Sequence, residues 1–68
     1  MLLMQSQTQA VALMHWRDAA ELVSSRWRTY LDAEPGHRAF AFASYLSALD
    51  AEEAAAGDMV AVAAQAAA

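Results

Sequence analysis

The sequence predicts an all-α protein folded as an antiparallel helical hairpin. No Pro or Gly interrupts the chain before Pro35, and apolar residues recur at alternating spacings of three and four on both sides of that break. The break itself, "DAEPGHRAFAF" at residues 32–42, sets the single Pro of the chain beside one of its two Gly.

The first helix is expected over residues 7–33, after a flexible apolar N-terminus at residues 1–6. Ser6 or Thr8 can cap it by accepting a hydrogen bond from a backbone N–H of the first turn. Leu13, Trp16, Ala20, Val23, Trp27 and Tyr30 form a heptad-like seam along one side. Arg17, Glu21, Ser25, Arg28 and Asp32 lie on the other, where Arg17/Glu21 and Arg28/Asp32 are four apart and pair weakly across a turn.

Pro35 ends this helix because it lacks an N–H and crowds the preceding turn, and Gly36 is free to take the left-handed conformation that other residues avoid. A second helix is expected over residues 37–56, with Phe42, Leu46, Leu49, Glu53 and Ala56 on its inner stripe and Tyr45 and Glu52 flanking it. Gly57 then reads as a C-terminal stop and Asp58 as a new N-cap. The hairpin domain spans residues 7–57, and residues 58–68 form a short Ala-rich helix or tail.

The alternation Ala39-Phe40-Ala41-Phe42 looks strand-like, but no second strand exists to pair with it. In a helix Phe40 and Phe42 stand about 200° apart, so they cannot share one seam. Phe42 follows the inner stripe, and Phe40 joins Ala43, Ser44 and Ser47 on a second face whose small residues admit another helix. Glu53 is expected to be a structural polar residue: a hairpin folded at Pro35–Gly36 brings it opposite Trp16 and Arg17, where it can accept from the indole N–H or pair with the guanidinium.

Sixty-eight residues make one small domain. A chain of that size buries only about 60% of its unfolded surface, so its core is marginal and a partner is favoured. Trp16, Trp27, Tyr30, Phe42, Tyr45, Leu46 and Leu49 are too many large residues for the single interface of one hairpin. Pairing two hairpins about a two-fold axis gives a homodimeric four-helix bundle. Trp16, Trp27 and Phe42 suit core packing. Trp16, Trp27, Arg28, Tyr30, Phe40 and Tyr45 are the interface candidates, since Trp, Tyr and Arg dominate binding hot spots.

Charge and composition remove several classes of function. The net charge is −4, with the four Arg of residues 1–38 balanced by four carboxylates and all of the excess beyond residue 38. No basic stripe exists for phosphates or anionic lipid, so neither direct nucleic-acid binding nor membrane docking is expected. The chain has no Cys, which excludes thiolate metal sites, cysteine nucleophiles and disulfides and favours a reducing, cytoplasmic setting. "MLLM" lacks a basic flank and is followed at once by "QSQTQ", so neither a signal peptide nor a membrane span is expected. His15, Asp18 and His37 do not have the Glu-x-x-His pattern of a di-metal bundle. HExxH, GxSxG and Gly-rich phosphate loops are absent, and two helices enclose no pocket, so no enzyme activity and no cofactor are expected.

Two functional classes follow. The first is a non-catalytic bacterial or phage assembly subunit, packing on copies of itself or on a larger complex. The second is a small acidic regulator, antitoxin-like, anti-sigma-like or a phage-encoded inhibitor, that covers a basic surface of a target protein with Asp50, Glu52 and Asp58. The terminal "AAQAAA" loosely resembles the Ala-ending tags that bacterial unfolding proteases recognise, which implies turnover through that end.

Overall fold

The computed structural model describes residues 2–67, with side chains from residue 7 onward. Helix α1 runs from Leu2 to Asp32, a 3-10 turn occupies Pro35–His37, and helix α2 runs from Arg38 to Ala67. The two long helices lie side by side as an elongated hairpin with Cα extents of 53 × 15 × 10 Å. The all-α hairpin expected from the sequence is the observed architecture.

Each helix is longer than its sequence signals suggest. Helix α1 already includes Leu2 to Ser6, so its helical backbone reaches into the expected flexible N-terminus. Helix α2 passes straight through Gly57, which has no positive φ, so Gly57 is not a stop and Asp58 not a new cap. Glycine costs about 1 kcal/mol in a helix interior relative to Ala, a penalty that the Ala-rich sequence on either side outweighs.

The turn also forms differently. Gly36 keeps a right-handed conformation, and the chain reverses instead through extended Glu34, with φ −67° and ψ 154°. That geometry is what a residue preceding Pro prefers. The Ala33 N–H donates to the Tyr30 carbonyl at 3.2 Å and the His37 N–H to the Glu34 carbonyl at 2.9 Å, closing the polar groups of the reversal. The Arg38 N–H donates to the Pro35 carbonyl and passes the 3-10 turn into α2.

Among the described residues, the buried ones are Ala12, Ala41 and Ala48. On α1 the expected seam is present: Leu13, Trp16, Ala20, Val23 and Tyr30 are half-buried, and Trp27 is 41% exposed at its edge. On α2 the inward line is Ala41, Tyr45, Ala48, Glu52, Ala55, Met59 and Val62. It keeps the alternation of four and three but starts one residue earlier than the expected stripe. The helix is thereby rotated by about 100° relative to that expectation.

The rotation has a packing cause. Ala41, Ala48 and Ala55 on the inner line leave room for the two backbones to approach, because helix separation is set by the side chains at the contact. Phe42, Leu46 and Glu53 then fall outside the seam and are exposed, while Leu49 and Ala56 stay half-buried on its flank.

Candidate interaction surface

The aromatic residues near the turn form one cluster. Trp27 contacts Tyr30 with ring centroids 5.4 Å apart and Tyr45 at 5.0 Å. Phe42 contacts Tyr30 at 5.3 Å and Tyr45 at 6.2 Å. All four pairs are tilted, with interplanar angles of 33° to 53°. Such contacts add about 0.5–1.5 kcal/mol each beyond area burial, so the cluster ties the helices together next to the reversal.

The pairs Trp27–Tyr45 and Tyr30–Phe42 also define the register. Three residues forward on α1 correspond to three residues back on α2, as antiparallel pairing requires. Leu13 and Met59, which line one groove nearer the open end, keep the same register. Glu52 and Glu53 therefore fall level with Ala19 and Ala20, not with Trp16 and Arg17. Glu53 is exposed, and the half-buried acidic position is Glu52. The expected contact of Glu53 with the first helix is thus replaced by a solvated carboxylate.

Of the interface candidates, Trp27, Tyr30 and Tyr45 belong to the ring cluster, and half-buried Trp16 lies outside it, farther along the α1 seam. Arg28 is exposed on α1. Phe40 projects from the start of α2 and is 80% exposed. Asp50 and Asp58 are exposed.

Phe40 borders an open groove of about 400 Å³. Leu22 and Arg26 supply its α1 side, and Ala43, Ser44 and Ser47 continue the α2 side from Phe40. The second face expected from the sequence is thus one wall of a groove between the helices. Sequence reasoning missed Leu22 and Arg26, because only the hairpin register brings them beside Phe40. It also missed Ala41, Ala48 and Ala55 as the contact line, although their spacing of seven is visible in the sequence.

No buried side-chain N or O lacks a hydrogen-bond partner among the described residues. The Thr29 hydroxyl donates to the Ser25 carbonyl at 3.1 Å within its own helix. Among the described residues no three His, Asp or Glu side chains gather closely enough to hold a metal ion, and no helix is long and apolar enough to cross a membrane. Among the described residues the hairpin also leaves large apolar side chains in water, from Leu22 and Trp27 at 41% exposure to Phe40 at 80%. No protein-family model, curated protein or solved structure matches this chain.

Proposed function

We propose that this chain is a non-catalytic assembly module whose hairpin associates with a second copy to form a four-helix bundle, and that it works in the cytoplasm. One observation carries the reading. The buried positions among the described residues are alanines, whereas Trp27, Leu31, Phe40, Phe42, Leu46 and Val60 are 41–80% exposed. Burying a large apolar side chain is worth about 1.5–3 kcal/mol, so covering even part of this set outweighs the modest core of one hairpin. The three-four spacing of both seams suits the shallow crossing angle of a bundle. The cytoplasmic setting rests on the absence of Cys.

Sedimentation equilibrium over a range of concentrations tests it. A dimer with a micromolar or tighter dissociation constant is expected, and a well-folded monomer at high micromolar concentration overturns the reading. Exposed Asp50, Glu53 and Asp58 favour the second reading, an acidic regulator of a basic target surface. Steep loss of partner binding with rising salt would select that alternative, since exposed charges are screened over about 8 Å at physiological ionic strength.

A further inference from the structure

We propose that a second copy of this chain covers the broad face of the hairpin that carries Leu31, Phe42 and Leu49, with both turns at the same end and Arg17 of each copy beside Glu53 of the other. The pairing rests on the self-association proposed above and adds its face and direction.

The helix period separates the two broad faces. Trp16, Val23 and Tyr30 on α1 and Ala41, Ala48 and Ala55 on α2 recur every seven residues along the inward lines. Leu22, Phe40 and Ser47 each precede a member of these lines by one residue and stand about 100° to one side, where they line the open groove. Residues that follow by one stand about 100° to the other side. They are Arg17, Ser24 and Leu31 on α1 and Phe42, Leu49 and Ala56 on α2. Trp27 and Tyr45 pack at the inner edge of this second face, and Val60, four residues after Ala56, extends it toward the open end. Trp27, Leu31, Phe42 and Val60, four of the six exposed large residues that argue for self-association, therefore belong to it. The face measures 53 × 15 Å between Cα atoms, which matches the roughly 800 Å² that each partner gives to a standard stable interface.

The charges on this face choose the direction. In the observed register Arg17 stands level with Ala55, two and three residues from Glu53 and Glu52. Among the described residues neither Arg17 nor Glu53 has an ion pair within its own hairpin. A two-fold axis along the hairpin lays α1 of one copy on α2 of the other at the same level. Arg17 then reaches Glu52 and Glu53 of the facing copy, and does so twice, while Leu31 meets Phe42 and Leu13 meets Val60. Arg28 and Arg38, the other cations near this face, come level with Ser44 and Glu34 of the facing copy. A reversed pairing over the same apolar stretch, Leu13 to Leu31, lays α1 on α1 and α2 on α2. It brings Arg17 to within about 1.5 Å along the axis of the other copy's Arg28, and Glu52 to within about 6 Å of the other Glu52. Like charges then oppose each other where the first arrangement opposes unlike ones, and such juxtapositions suppress the wrong pairing.

A nitroxide label on Gly36→Cys reads the direction, since the native chain has no Cys and a Cβ at Gly36 meets nothing within 4 Å. Pulsed electron paramagnetic resonance of the dimer should give a label separation below about 20 Å, whereas the reversed pairing sets the labels about 40 Å apart. Sedimentation of surface variants reads the face. Leu31→Glu should abolish dimerisation with unchanged helical circular dichroism, since Leu31 is exposed in the hairpin, and Phe40→Glu should leave the dimer intact. Arg17→Glu should weaken it about tenfold, and the double variant Arg17→Glu, Glu53→Arg should recover most of that loss. A sedimenting dimer whose Gly36 labels lie far apart overturns the direction, and one that tolerates Leu31→Glu or is lost in Phe40→Glu overturns the face. Either result leaves self-association standing. A folded monomer at high micromolar concentration removes both. Capture of a different protein by the native chain, lost in Leu31→Glu while no dimer sediments, would assign the face to that partner and overturn the second copy as its occupant.

Discussion

Trp27 and Tyr45 face each other across the two helices with ring centroids 5.0 Å apart and planes tilted by 48°. This contact joins residues eighteen positions apart in the sequence and, with Tyr30–Phe42, sets the register for the hairpin. Replacing Tyr45 by Ala removes both its contact to Trp27 and its contact to Phe42. Urea denaturation of Tyr45→Ala should show a loss of about 2–3 kcal/mol, the near-ultraviolet signal of Trp27 weakening with it.

Phe40→Ala should behave oppositely. At concentrations where the chain is monomeric, its effect on unfolding should stay within about 0.5 kcal/mol, because 80% of Phe40 is already in water. The concentration dependence of melting, which arises because a partner that binds only the folded state raises stability by mass action, should survive the change, since Phe40 lies on the broad face left free.

The two adjacent carboxylates should separate cleanly. Exposed Glu53 tolerates replacement by Ala within about 0.5 kcal/mol, whereas Glu52→Leu on the half-buried line should raise stability by about 0.5–1.5 kcal/mol through added apolar burial. Thermal melts of the two variants at concentrations where the chain is monomeric check the register: a destabilising Glu53→Ala would restore the contact first expected for that residue.

Both glycines should accept a methyl group. A Cβ added at Gly36 or Gly57 meets nothing within 4 Å, and neither residue has a positive φ. Gly57→Ala should stabilise by about 0.8–1 kcal/mol as a helix-interior exchange, and Gly36→Ala by about 0.4–1 kcal/mol through the unfolded state. Loss of stability in Gly57→Ala would mean that α2 is broken at that point.

The triple variant Asp50→Asn, Glu52→Gln and Asp58→Asn should keep its helical circular dichroism. Its self-association should persist in low and high salt, as expected of an apolar contact. Loss of a protein partner in this variant alone, with binding by the native chain falling steeply in salt, would favour the acidic-regulator reading.

By itself the sequence determined the helical class, the site of the reversal and the inward seam of α1. Pro35 cannot continue a helix, and the large residues Leu13, Trp16, Val23 and Tyr30 mark their own inner face by size and spacing. It also placed Phe40, Ala43, Ser44 and Ser47 together, because a helix fixes which residues share a side. Only the tertiary structure decided the rotation and register of α2. Its sequence has an alanine line, Ala41–Ala48–Ala55, one step from a line led by Phe42 and Leu46, and helix periodicity fits both. Size pattern alone favours the larger residues, but the hairpin prefers the alanines on its inner line, with the rings of Tyr30, Trp27, Phe42 and Tyr45 packed together near the turn. That preference depends on the distance between two backbones, a quantity no single helix encodes. For the same reason the sequence did not reveal that Leu22 and Arg26 would line the groove beside Phe40, or that Glu52 would sit on the seam and Glu53 in water.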